Sequence, residues 1–138
     1  MILDALKQAY ITKNNRHWDN IYIAVDLHGT ICNGLYTNDQ KINFYPDAIK
    51  TLQLLSSRKE IKLILFTSTH PKDIIRYLNV MLGENIIFDY VNENPECPST
   101  ELADFSRKMY YNFLIDDKSG FDPETDWEII YQFMKSKA

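Results

Sequence analysis

Residues 20–26 read NIYIAVD and run straight into LHGT at 27–30, and this junction decides the fold. A short β-branched apolar run that ends on a charge is the pattern of a buried parallel strand delivering a polar side chain at its carboxyl end. The pattern recurs. KLILF at 62–66 is followed by Thr67, Ser68, Thr69 and His70, and YYNFLI at 110–115 by Asp116 and Asp117. A further apolar run, IIFDYV at 86–91, supplies another strand.

The intervals between these runs read as helices. Pro46 and Asp47 suit a first helical turn, with Ile49, Leu52 and Leu55 following at helical spacing. Pro71 opens the next helix, which runs through Ile74, Ile75, Leu78 and Leu82 to a stop at Gly83. Asp122 and Pro123 have the chemistry of an N-cap and first helical position, ahead of an apolar face made by Trp127, Ile130, Tyr131 and Met134. At the N-terminus Ile2, Leu6 and Tyr10 or Ala9 share one side of a short amphipathic helix. Two stretches read as loops: 92–105, with two prolines and one expected helical turn, and 32–45, where the Asn33-Gly34 turn signal predicts a hairpin or flap.

Alternating strands and helices predict an α/β three-layer α/β/α sandwich with a central parallel sheet of Rossmann-like topology and no separate cap domain. The 138 residues, 45% hydrophobic and 25% charged, suit a single domain over 1–138, with 1–19 as an N-terminal helical extension. Fifteen basic against nineteen acidic residues leave a formal charge of -4, without the basic field of a general nucleic-acid or anionic-membrane binder. No apolar run approaches the ~20 residues that span a bilayer, and Asp4 and Lys7 interrupt any signal-peptide core. Cys32 and Cys97 lack the spacing of a zinc or redox pair, so reduced thiols in a cytoplasmic protein are expected.

In parallel sheets ligands bind beyond the carboxyl ends of the strands. Three strands here end in polar clusters at that edge: Asp26 with His28, Thr67 with Ser68, and Asp116 with Asp117. Carboxylates, a hydroxyl and a nearby lysine converging on one edge make a hard oxygen-ligand site suited to Mg²⁺, with a cation left for a phosphate. That combination points to phosphoryl transfer.

The ordered motifs resemble those of the haloacid dehalogenase superfamily of phosphohydrolases, especially its small capless members. VDLHGT at 25–30 is similar to the superfamily's hhDxDGT loop, Thr67 after LILF to its second motif, Lys108 to its third, and the acidic pair of FLIDDKSGFD to its fourth. The resemblance covers residues 20 to about 134. It implies a phosphomonoester hydrolase that works through an aspartyl-phosphate on Asp26, which would also ligate Mg²⁺. It further implies metal ligation by Asp116 and by the His28 backbone carbonyl, and by Asp117 through water. Thr67 would bond the phosphoryl group, with Ser68 as the alternative one residue on. Lys108 would neutralise the phosphate, with Lys72 and Lys118 as competitors.

The sequence departs from the family at position 28, where phosphatases carry an aspartate as general acid and base and this chain has histidine. Histidine can donate and accept protons near neutrality, its unperturbed pKa being about 6.5. Two other readings stay open: a catalytically impaired binding or regulatory module of the same fold, and a receiver-like phosphoacceptor domain. The expected partner is a small phosphorylated substrate such as a sugar phosphate, a nucleotide or a nucleic-acid end. Tyr36, Phe44 and Tyr45 would pack in the flap more readily than line a substrate mouth, and Cys32 beside the motif reads as packing.

Overall fold

A computed structural model of the chain describes residues 2–33, 42–100 and 102–137. The elements in chain order are α1 (Ile2–Asn15), β1 (Ile21–Asp26), α2 (Ala48–Ser57), β2 (Ile61–Phe66), α3 (Pro71–Gly83), β3 (Tyr90–Val91), β4 (Phe113–Ile115) and α4 (Asp126–Lys135), with a 3-10 turn at Asp117–Ser119 before α4. The strands form one sheet in the order β3-β2-β1-β4, and every pairing is parallel. The protein is an α/β sandwich, as the alternation of runs and breaks predicts.

Chain order and handedness together dictate the layers. From β1 to β2 and from β2 to β3 the chain steps outward in one direction, whereas from β3 it returns past β2 and β1 to place β4 on the far side. Crossovers between parallel strands are right-handed, so reversing the direction of travel moves the connection to the opposite face. Accordingly Ile23, Val25, Leu63, Leu65 and Phe113 join one apolar core with the buried residues of all four helices. The opposite face is crossed by residues 92–112, which form turns and bends and, among the described residues, no helical turn. There the Tyr22 hydroxyl donates to Glu96 at 3.2 Å, and the Tyr22 and Tyr110 rings meet edge-on at 6.1 Å.

Each helix buries a stripe at helical spacing: Leu6, Ala9 and Tyr10 on α1, Leu52 and Leu55 on α2, Ile74, Tyr77 and Met81 on α3, and Trp127, Ile130 and Met134 on α4. The N-terminal extension is thus part of the common core. Trp127 is fully buried, and truncating such a side chain to alanine costs about 3–5 kcal/mol.

Some boundaries differ from those expected. The run 86–91 pairs as a strand only at Tyr90–Val91, because Ile86 is drawn back to α3 by its N–H on the Met81 carbonyl while the Ile87 N–H bonds the Ser56 hydroxyl. The fourth strand is likewise confined to Phe113–Ile115. Asp47 precedes α2 in a left-handed conformation, φ 64°, so the helix starts at Ala48. Asp122 and Pro123 form a turn outside α4: the Asp126 carboxylate accepts the Asp122 N–H at 2.8 Å, and Asp122 accepts the Glu124 N–H at 3.0 Å. In the expected flap, Cys32 and Phe44 bridge antiparallel, and the Asn33 N–H bonds the Asn43 carbonyl at 2.9 Å. Gly34 of the expected turn and Tyr36 lie outside the described residues.

Candidate functional site

The strand order places a topological switch at β1 and β4, the point where connections diverge to opposite faces and beyond whose carboxyl ends ligands bind in sheets of this kind. Register then decides which side chains meet there. Val25 pairs with Ile115, so the next residue on each strand, Asp26 and Asp116, stand side by side. Oxygens of Asp26, Asp116 and Asp117 all lie within 4.8 Å of one another, with Asp26 and Asp116 half-buried and Asp117 exposed.

Thr30 ties the cluster together. Its fully buried hydroxyl shares one proton between Asp26 Oδ2 at 3.0 Å and Asp117 Oδ1 at 3.1 Å, while accepting the Asp117 N–H at 3.0 Å. The Thr30 carbonyl accepts the Trp127 indole N–H at 2.9 Å, and Thr51 on α2 donates to the Trp127 carbonyl at 2.9 Å. The loop after β1 is therefore fastened to the helical layer. Thr30 was legible as part of VDLHGT, but nothing in the sequence marked its hydroxyl as the bridge between two acids.

Burial, then the charge of Asp116 and contact with Asp117, push the Asp26 carboxyl up to about 7. Three acids share this edge, and among the described residues none has a lysine or arginine partner. Such a hard, anionic donor set fits a divalent cation such as Mg²⁺, which would relieve the repulsion. Asp116 Oδ1 additionally accepts the Lys118 N–H at 3.0 Å, which fixes its orientation.

The remaining expected residues are placed less uniformly. Phe66 pairs with Asp26, so Thr67 follows at the same edge one strand over. The Thr67 hydroxyl is half-buried and lies 2.9 Å from that of Thr69, whereas Ser68 is exposed. His28 is 8% exposed, its ring edge-on to Tyr77 of α3 at 5.1 Å. Its Nδ1 lies 3.2 Å from the Asn33 carbonyl, which can only accept, so Nδ1 carries the proton and Nε2 is the basic nitrogen of the neutral ring. Lys108 is exposed in the segment leading to β4 and makes no ion pair with the acids, and Lys72 and Lys118 are exposed as well.

No protein-family model matches the chain, and no curated protein matches it. A solved structure from Bacteroides thetaiotaomicron, described as a conserved protein, shares 31% of residues with this chain at a TM-score of 0.64, covering 86% of this chain and 93% of that one. This chain belongs to that protein's family. The name of that protein gives no activity.

The sequence reading also missed Asn92 and Thr69, both of which hold Thr67. Asn92 has a left-handed backbone, φ 56°, a conformation asparagine tolerates better than most residues. Its place just past a short apolar run was the available signal.

Proposed function

We propose that the chain is a Mg²⁺-dependent phosphohydrolase that cleaves a phosphomonoester through an aspartyl-phosphate on Asp26. The observation that carries this reading is the meeting of Asp26, Asp116 and Asp117 at the switch point, with Thr67 on the neighbouring strand. Mg²⁺ bound by these acids would supply positive charge for the phosphoryl oxygens. An Asp26 oxygen attacks phosphorus, and the bond to the ester oxygen breaks. Thr30 steadies the other Asp26 oxygen, Oδ2, and keeps Asp117 in place. The Thr67 hydroxyl donates to the phosphoryl group. Cationic His28, held through Nδ1–H on the Asn33 carbonyl, gives its Nε2 proton to the departing alkoxide. Neutral His28 then takes a proton from the water that attacks the phosphoenzyme, releasing phosphate and restoring the Asp26 carboxylate. Lys108, eight residues before Asp116, is assigned to the phosphate's remaining charge.

A second reading, a binding or regulatory module of the same fold, is favoured by the burial of His28 against Tyr77 and by the exposure of Lys108, which makes no ion pair with the three acids. The receiver-like alternative loses ground to topology, since receivers order their strands 2-1-3-4-5 and this sheet runs 3-2-1-4.

The deciding experiment is a hydrolysis screen over sugar phosphates, nucleotides and polynucleotide ends, with and without Mg²⁺, using wild type and Asp26→Asn. Turnover that needs both the metal and the Asp26 carboxylate supports the enzyme. Undiminished turnover by Asp26→Asn sinks the mechanism, and Mg²⁺ binding without turnover of any substrate favours the binding module.

A further inference from the structure

We propose that Thr69 and Asn92 are positioning residues that commit the Thr67 hydroxyl to donating to a tetrahedral oxyanion, which rests on the phosphohydrolase reading above. Two independent sets of hydrogen bonds converge on Thr67.

The first fixes its backbone. Asn92 follows β3, and its N–H extends the ladder by bonding the Leu65 carbonyl at 2.8 Å. Its side-chain amide then continues the ladder where the backbone leaves it. Asn92 Oδ1 accepts the Thr67 N–H at 2.8 Å, and Nδ2 donates to the Thr67 carbonyl at 2.8 Å. With both backbone polar groups of Thr67 engaged by one planar amide, Thr67 cannot swing away from Asp26 without breaking two bonds.

The second set decides what the hydroxyl can do. Thr67 Oγ1 accepts the Thr69 N–H at 3.2 Å, so one of its two lone pairs is occupied. The two Oγ1 atoms are 2.9 Å apart, so one hydroxyl donates to the other. Thr69 is 8% exposed and Thr67 half-buried, and among the described residues no other acceptor takes the Thr69 proton, so Thr67 as the donor would leave the more enclosed hydroxyl the less satisfied. The favoured arrangement has Thr69 donating to Thr67. Both lone pairs of Thr67 are then filled, and its proton has no use except outward donation. A hydroxyl in that state recognises an anion such as a phosphoryl oxygen and offers nothing to a cation or another donor.

The test measures inorganic phosphate binding by calorimetry in the presence of Mg²⁺, together with p-nitrophenyl phosphate hydrolysis, for wild type, Thr69→Val, Thr69→Ser and Asn92→Asp. Valine keeps the branched shape of Thr69 and deletes the hydroxyl. Serine keeps the hydroxyl. Thr69→Val is expected to weaken phosphate binding and raise KM about five- to tenfold, with a smaller change in kcat and wild-type Mg²⁺ affinity, and Thr69→Ser to stay within about twofold of wild type. Asn92→Asp, which sets an oxygen against the Thr67 carbonyl, should weaken phosphate at least as much. Thermal unfolding identifies any variant that fails to fold, and whichever of Thr69→Val and Asn92→Asp folds then carries the test. Phosphate affinity and KM in Thr69→Val equal to wild type would overturn the inference, as would a Thr69→Ser variant as weak as the valine. A wild-type protein that neither binds phosphate with Mg²⁺ nor hydrolyses the ester removes the phosphohydrolase reading and this inference with it.

Discussion

Gly29 and Asp117 are in such close approach that a Cβ on residue 29 would stand 2.9 Å from Asp117 Oδ2. Gly29 also has φ +85°, a backbone region that side chains strain to adopt. Gly29→Ala is therefore expected to cost about 1–2 kcal/mol and to push the Asp117 carboxylate out of the cluster. A drop of several degrees in Tm together with weaker Mg²⁺ binding in a calorimetric titration is the predicted pair of results. Unchanged metal affinity would mean that Asp117 does not contribute.

The crowding of acids at the site has a stability cost. The Asp26 carboxyl ionises near 7 in the folded chain against an ordinary 3.8, so between those pH values the folded state binds more protons than the unfolded one. The contribution of Asp26 to the stability of the metal-free protein therefore falls as pH rises from about 4 to about 7. Asp26→Asn removes this charge and should raise stability at pH 8 by roughly 1–2 kcal/mol, a value discounted for the solvent that reaches the site. The gain should vanish at pH 4. Denaturant melts at the two pH values check both parts, and a variant less stable than wild type at pH 8 would contradict the account.

A histidine that protonates the leaving group is needed less when the leaving group departs as a stable anion. His28→Ala should slow phosphoenzyme formation from an alkyl phosphate by ~10² to 10⁴, and from p-nitrophenyl phosphate much less. Single-turnover kinetics isolates that step. Equal losses for both esters would assign His28 a structural role against Tyr77.

Far from the site, Glu60 receives the Tyr10 hydroxyl at 2.8 Å and the Arg58 guanidinium at 2.9 Å. Burial would raise its carboxyl, but Arg58, its own backbone N–H and Tyr10 outweigh that and hold it down at about 2 against an ordinary 4.5. The unfolded state thus takes up the proton first, and this stabilisation is complete above about 4.5 and is lost as pH falls towards 2. Glu60→Gln should cost about 1–3 kcal/mol at pH 7 and nearly nothing at pH 2, read from urea unfolding at each pH.

How much of this was legible follows from the range of each signal. Strand-end acids are local: NIYIAVD and FLI-DD announce both their strand and the edge at which Asp26 and Asp116 emerge. The helix stripes are local too. By contrast, the extent of β3 depends on where Ser56 and Met81 draw Ile86 and Ile87, and the start of α4 on a carboxylate of Asp126 reaching back to Asp122. Thr30, Thr69 and Asn92 were unremarkable in sequence because their roles are relationships between segments. The one lysine chosen by spacing, Lys108, sits in irregular chain where spacing along the sequence says little about distance.

The long return through residues 92–112, which holds no helical turn among the described residues, bears on how the molecule assembles. The strands β1, β2 and β3 close through successive crossovers, each with its own helix, whereas β4 must find β1 after the whole of that return. Thr30 and Asp117, which meet at the site, are 87 residues apart in the chain. Contacts of long sequence separation are paid for in loop-closure entropy and are expected late in folding. The acidic cluster would then come into being with the last strand to dock, repelling its own formation until a cation is present. Metal binding should accordingly slow unfolding while leaving the folding rate nearly untouched.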